Sequence, residues 1–178
     1  MSPFEGTIIC SLFEIGQVND KIELVRPSND NEGVEKMAVD VYFNFNGNCR
    51  EAVMFYADVF ETETPKIMTF GEGPPNPEYP LPEEVKDLVM HTRLNISGSN
   101  VMFSDTFPGS PFTQGNNITL AVVSKDKDEI KSVFSKLKKG GKVNLELQET
   151  FFSKCYGQIT DKFGIEWQLS LDSGETFG

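Results

Sequence analysis

The chain has 178 residues, 38% of them hydrophobic, which suffices for the core of one globular domain or of two small fused ones. Its 16 basic and 27 acidic residues give a net charge of -11, so its surface repels nucleic acid phosphates and anionic membranes. We therefore expect neither nucleic acid nor a membrane as a partner.

The cysteine pattern and the first apolar run indicate the compartment. Cys10, Cys49 and Cys155 are odd in number and far apart, which favours neither a disulfide framework nor a paired-cysteine zinc site. The apolar run at 7–15 is too short to cross a bilayer, and it follows Glu5 where a secretory signal carries positive charge. These features predict a cytoplasmic protein.

Residues 1–37 differ in pattern from the rest of the chain. Two strand-like runs, at 7–15 and 21–26, flank the turn-forming sequence GQVND, and the polar stretch PSNDNEG follows them. We predict an N-terminal extension at 1–37 that forms a β-hairpin; the alternative is a poorly ordered extension.

The segment 38–107 has the pattern of a β-α-β-β-β module. VDVYFNF alternates apolar and polar residues as a strand does, and GNCREAVMFYADVF is an amphipathic helix in which Asn48 and Glu51 form a predicted capping box. A strand at PKIMTFGEG follows, then a proline-rich loop with one short helical turn at PEEVKD. VMHTRLNI and NVMFSDTF form a hairpin, and Asp105 is expected to cap the turn after it.

The segment 108–178 repeats this order. NITLAVV predicts a strand, KDEIKSVFSKLKKGG a helix that ends near Gly140, and KVNLELQ, CYGQITD and IEWQLSL three more strands. Two tandem copies of one unit predict an α+β domain spanning 38–172. Aromatic residues on the apolar strand faces are expected to pack beneath the helices; they are Phe43, Phe45, Phe103 and Trp167.

Four stretches carry a resemblance to a known family. YFNFNGNCREAVMFYADVF, MHTRLNISGSNVMFSD, GNNITLAV and LQETFFSKCYGQITDKFGIEWQL together resemble the PhnB-like branch of the vicinal oxygen chelate superfamily, often labelled 3-demethylubiquinone-9 3-methyltransferase-like. The resemblance covers about residues 38–172. It implies tandem βαβββ modules in the glyoxalase-like fold, whose curled mixed sheets form cups with helices on the convex side.

The resemblance also implies a chemistry and an assembly. Active superfamily members hold a divalent metal, which chelates vicinal oxygens of the substrate, on the first and last strands of both modules. Modules paired across subunits imply a homodimer. The methyltransferase label is not supported by the residues, because no glycine-rich loop follows the first strand as a nucleotide-type cofactor requires.

The metal positions implied by the resemblance carry unsuitable side chains. They fall near Tyr42, near Met102 or Ser104, on Asn117 and on Gln168. None of these is a histidine or a carboxylate, so we expect no tightly bound metal and no cofactor. Asp40 and Glu166, one strand step away on the same faces, leave a shifted divalent metal site as the alternative.

Two residues are candidates for acid–base chemistry. His91, the only histidine, lies on the third strand beside the implied pocket, where it would exchange a proton with a ligand; the alternative is a strand histidine with a satisfied hydrogen bond. Glu149 lies near Phe151 and Phe152, which would raise the pKa of its carboxyl group; the alternative is a salt-bridge partner at a strand end. Phe151 is expected to wall the ligand cavity or, alternatively, a dimer interface.

These observations favour a protein that binds a small molecule in a cup-shaped cavity without a tightly held metal. The predicted ligand-binding residues are Tyr42, Ser104, Asn117, Gln168 and Phe151, and the predicted catalytic residues are His91 and Glu149. Two alternatives remain open at this point: a metal-dependent lyase, isomerase or dioxygenase with an unorthodox ligand set, and a dimeric interaction module. Fold alone does not choose among them.

Overall fold

The computed structural model of the chain describes residues 39–78, 80–172 and 174, so the hairpin predicted within 1–37 lies outside the described residues. The first module contains β1 (Val41–Phe45), α1 (Cys49–Val59), β2 (Met68–Thr69), a 3-10 turn (Phe70–Glu72), α2 (Glu83–Lys86), β3 (Val89–Ile96) and β4 (Ser99–Asp105). The second contains β5 (Leu120–Ser124), α3 (Lys127–Leu137), β6 (Lys142–Gln148), β7 (Tyr156–Thr160) and β8 (Glu166–Leu171). None of these helices has the length and apolarity needed to span a bilayer.

The two modules have the same sheet topology. The strand orders are β1-β4-β3-β2 and β5-β8-β7-β6, and in each sheet the first strand pairs in parallel with the last while the other pairs are antiparallel. Each sheet is therefore mixed and open, with its first strand at one edge. The predicted α+β architecture of two tandem βαβββ modules is confirmed.

Two predicted strands are shorter in the structure than in the sequence prediction. β2 has only two residues, because the Glu72 carboxylate accepts a hydrogen bond of 2.7 Å from the backbone N–H of Thr69 and the chain turns there. β5 begins at Leu120 and not at Asn117. Leu120 pairs with Trp167 and the partner strand β8 begins one residue earlier, at Glu166, so residues before Thr119 have no neighbouring strand with which to pair.

The helix-facing sides of the two sheets share one apolar core. The buried Tyr56 ring on α1 lies 5.9 Å from the ring of Phe103 on β4 and 5.7 Å from that of Trp167 on β8, measured between centroids. Phe43 and Phe45 on β1 belong to the same cluster. The prediction that these strand aromatics pack beneath the helices is confirmed.

The start of α1 differs from the sequence prediction. Asn48 makes no side-chain capping hydrogen bond. Instead Oδ1 of Asp105 accepts hydrogen bonds of 2.9 Å from the backbone N–H groups of Gly47 and Cys49, and its Oδ2 accepts one of 2.9 Å from Val89. The prediction that Asp105 caps the turn after β4 is wrong, because the first turn of α1 brings unpaired N–H groups closer to this carboxylate.

Candidate ligand-binding site

One face of the first sheet lies opposite α1 and carries polar and methionine side chains; we name it the first open face. Strand register places its residues on one side, because Tyr42 pairs with Met102, Met102 with Arg93, and Asn44 with Ser104. The alternate residues of these strands point into the core. The members of the first open face are Tyr42, Asn44, His91, Arg93, Met102 and Ser104.

Three predicted site residues meet on the first open face. β4 separates β1 from β3, yet the Tyr42 hydroxyl lies 3.4 Å from Nδ1 of His91, with the ring centroids 6.0 Å apart. On β4, the Ser104 hydroxyl donates a hydrogen bond of 3.2 Å to Oδ1 of Asn44. The structure therefore brings Tyr42, His91 and Ser104 into one cluster of hydrogen-bonding groups.

The environment of His91 favours its neutral form. Partial burial lowers the pKa of the imidazole below its ordinary value, and the positive charge of Arg93 lowers it further. A neutral ring whose Nδ1 accepts from the Tyr42 hydroxyl carries its proton on Nε2, which is then free to donate to a ligand. Arg93 is absent from the residues predicted for the site, although its position two residues after His91 places both on one strand face.

The corresponding face of the second sheet, away from α3, is the second open face, and it holds Gln168. This residue pairs with Ala121 on β5 and Gln158 on β7, while its neighbours Trp167 and Leu169 are buried on the helix side. Within the part of the chain that the structure describes, the Gln168 amide has no side-chain hydrogen bond. Its orientation agrees with the side-chain alternation expected from the sequence.

Glu149 and Phe151 lie in the connection between β6 and β7. Thr150 and Ser153 close a tight turn there through a backbone hydrogen bond of 2.8 Å, and Phe151 at its tip is 90% exposed. The ring of Phe152 packs against that of Tyr156 at one end of the second open face, with the ring centroids 4.9 Å apart. Glu149 is exposed just after β6, so the structure places it on a different sheet from His91.

A cavity of about 990 Å³ runs beside the free edge of β1. Its other walls are the loop 106–119 and the turn before β8, and Asn117 lines it together with Tyr42. The Gln114 amide nitrogen fixes this loop by donating a hydrogen bond of 2.7 Å to the Phe163 carbonyl. Gly164 is required beside it, because its φ is +80° and a Cβ there would lie 2.4 Å from that nitrogen.

The described residues do not fit the divalent metal that the superfamily resemblance implies. Among them, no three histidine, cysteine, aspartate or glutamate side chains come together. The two carboxylates considered for a shifted site have neutral partners. Oδ2 of Asp40 lies 3.5 Å from the amide nitrogen of Asn100, and Oε2 of Glu166 lies 3.4 Å from the hydroxyl of Thr119. Amide, hydroxyl and thioether groups at the remaining positions are weak ligands for such ions.

The family follows from a match to a family model. Residues 35–170 match the model described as 3-demethylubiquinone-9 3-methyltransferase, which covers both modules. The chain belongs to this family. The match agrees with the PhnB-like resemblance of the sequence, and it includes the stretches around His91 and Gln168.

Three relatives agree with the assignment to the PhnB-like family. Protein YjdN of Escherichia coli is 30% identical over 141 residues, which are 76% of this chain and 95% of that protein. The crystal structure of protein PA1353 from Pseudomonas aeruginosa is 31% identical, with a TM-score of 0.67 over 76% of this chain and 98% of that chain. The PhnB protein from Bacillus cereus is 28% identical, with a TM-score of 0.60 over 76% and 99%.

A more distant structure shares the fold of this PhnB-like chain. A variant of the fosfomycin resistance protein FosX from Listeria monocytogenes, solved with Mn(II), is 11% identical, with a TM-score of 0.51 over 78% of this chain and 93% of that chain. The likeness at this identity concerns the fold alone. It shows that the two modules have the same fold as that protein.

Proposed function

We propose that this PhnB-like protein binds a small molecule in a cup formed by its open sheet faces, without a tightly held metal. The observation that carries the proposal is the cluster of Tyr42, His91 and Ser104 on the first open face. Side chains that provide both donors and acceptors beside the thioether of Met102 suit an organic ligand better than a metal ion.

The remaining predicted residues extend the proposed cup. Gln168 provides an amide on the second open face, and Asn117 provides one on the cavity beside β1. Phe151 forms a wall at the rim, and Glu149 provides a carboxylate next to it. In this proposal His91 exchanges a proton with the ligand through Nε2. Glu149 acts as a second acid or base only if the second sheet of another copy lies against the first sheet of this one.

We propose that the protein is a homodimer whose second copy closes the cup. Apolar side chains on and beside the second open face support this: Val123 on β5 is 58% exposed, in addition to the exposed Phe151. Exposed apolar groups of this kind are typical of surfaces that another chain covers. The buried free thiols Cys49 and Cys155 are compatible with a reducing, cytoplasmic setting.

A fragment screen by ¹H–¹⁵N NMR tests the proposed small-molecule site. We expect hits that shift the backbone signals of Tyr42, His91 and Ser104, with weaker binding in Tyr42→Phe and Ser104→Ala. Ser135→Ala is the matched control, because Ser135 is exposed on α3 and away from both open faces.

Two results would overturn the proposed function. One is a screen whose hits shift only residues away from both open faces and from the cavity beside β1. The other is a ligand that binds Asn117→Ala and Gln168→Ala as tightly as the unmodified protein, since these amides then contribute nothing to the cup.

A further inference from the structure

Arg93 is an exposed cation on the first open face without an acidic partner in the described residues. Five ion pairs occur among the described residues. In each of them the cation is a lysine, and none involves Arg93. A guanidinium beside His91, among the neutral side chains that β3 and β4 place on this face, is suited to an external anion.

The neighbours of Arg93 define the rest of a binding surface. Its cross-strand partner is Met102, whose other partner is the half-exposed Tyr42, so apolar surface extends from the guanidinium toward β1. Met68 pairs with His91 on the far side of β3. A ligand with a charged group at one end and an apolar body at the other matches this order of side chains.

The acidic groups near the proposed cup lie at its β1 edge, where Asp40 alternates with Tyr42 and its carboxylate is 3.5 Å from the amide of Asn100 on β4. Asp40 and Glu166 both line the cavity beside β1, and these carboxylates disfavour an anion there. Arg93 lies on β3, two strands away from that edge. The charges thus direct the anionic end of a ligand toward β3 and leave its apolar end toward Tyr42.

We propose that the first open face selects small molecules that carry an oxyanion group, with the anion bound by the guanidinium of Arg93 and the N–H of His91, and the apolar body against Tyr42 and Met102. This inference rests on the proposed function, for which it names the ligand class. A guanidinium binds a carboxylate or a phosphate monoester through two parallel hydrogen bonds, so both sources of the oxyanion satisfy the same geometry.

Three probes of similar shape test the inference on the full chain: benzoate, phenyl phosphate and the neutral benzamide. We expect NMR titration to show both anions, or one of them, binding at least tenfold more tightly than benzamide, with shifts at Arg93, His91 and Met102. The tighter anion identifies the oxyanion source. Added salt is expected to weaken the anions and to leave benzamide unchanged.

Variants of Arg93 and Arg50 provide the decisive comparison. Arg93→Gln is expected to lower anion affinity at least tenfold and Arg93→Lys by less, while neither changes benzamide binding. Arg50→Gln is the matched control, because it removes the same charge from the opposite side of the sheet, on α1. Arg93 is exposed, so these variants are expected to keep the native fold, which their NMR spectra verify.

The outcomes separate this inference from the proposed function. Anions that bind no more tightly than benzamide, or equally well to Arg93→Gln, overturn the oxyanion selection. If benzamide nevertheless shifts the first open face, the small-molecule site stands and only its charge preference is wrong. If none of the three probes shifts this face, the oxyanion inference falls, and the fragment screen decides the proposed function by itself.

Discussion

The hydroxyl of Tyr56 on α1 donates a hydrogen bond of 2.8 Å to Oδ2 of Asp161, which follows β7 in the second module. Nε1 of Trp167 donates to the same oxygen at 2.8 Å, and the backbone N–H groups of Phe163 and Ile165 donate to Oδ1. The carboxylate, only 4% exposed, thus joins the helix of one module to the final turn of the other. Burial, followed by the charge and the hydrogen bond of Asp161, raises the pKa of Tyr56 far above its ordinary value.

Removing this carboxylate is expected to destabilise the whole chain. Asp161→Ala leaves two buried donors and two partly buried ones without this acceptor, so we expect a loss of at least about 3 kcal/mol in the free energy of unfolding, measured with urea. Tyr56→Phe leaves the other three bonds in place and is expected to cost about 1–3 kcal/mol. Asp58→Ala, an exposed change on α1, serves as the control and is expected to stay within about 0.5 kcal/mol. A loss below 1 kcal/mol in Asp161→Ala would contradict the joining role.

The Cys49 thiol is expected to be unreactive in the folded protein. Burial, with a smaller contribution from the negative charge of Asp105, raises its pKa to about 12. In a Cys10→Ser variant, which leaves the buried Cys49 and Cys155, we expect negligible reaction with DTNB at pH 8 and two thiols per chain after denaturation. Rapid modification of native protein at position 49 would show that the first turn of α1 opens readily.

The single histidine makes the pKa of His91 directly measurable. We expect an NMR titration of the imidazole to give a value below the ordinary 6.5, and a higher value in Arg93→Gln, where the neighbouring cation is absent. Because the folded-state pKa lies below the unfolded-state pKa, stability is expected to fall as pH drops through about 6.5 and to level off below the folded-state pKa. His91→Gln should lack this decrease, and an unshifted pKa would argue against a partly buried ring next to Arg93.

Divalent metals are expected to stabilise the protein little. A metal present at one tenth of its dissociation constant adds only about 0.06 kcal/mol to folding, so Mn²⁺, Ni²⁺ or Zn²⁺ at modest concentration should leave Tm within about 1 °C. The measurement is thermal unfolding together with the metal content of protein purified without chelators. Stoichiometric metal, or a shift of several degrees that Glu166→Gln abolishes, would instead support the metal-dependent enzyme.

Dimerisation is expected to depend on the apolar residues beside the second open face. Sedimentation velocity should show a dimer for the unmodified chain and a weaker dimer for the double variant Val123→Ser and Phe151→Ser, because both changes remove exposed apolar surface. Met54→Ser, a comparably exposed apolar change on α1, is the control and should leave the dimer intact. A clean monomer across the concentration range would refute the homodimer.

Two carboxylates of this protein accept hydrogen bonds from groups that are distant in the sequence. Asn48 has the residue type and position of an N-cap, but the acceptor for the start of α1 is Asp105, which is 56 positions from Cys49. Likewise, nothing local to Asp161 predicts that Tyr56 reaches it, 105 positions away. A sequence pattern records which groups need hydrogen bonds, whereas the packing of strands and helices determines which partner comes within reach.

The sequence by itself determined the order of the elements and the face on which each strand residue lies, because side-chain alternation and the helical apolar stripe are properties of a few consecutive residues. The burial of Trp167 beneath the helices and the opposite orientation of Gln168 follow from that rule. Only the tertiary structure decided which of the predicted site residues meet. The strand order places β4 between β1 and β3, and so brings Tyr42 to His91 while it leaves Gln168 on another sheet.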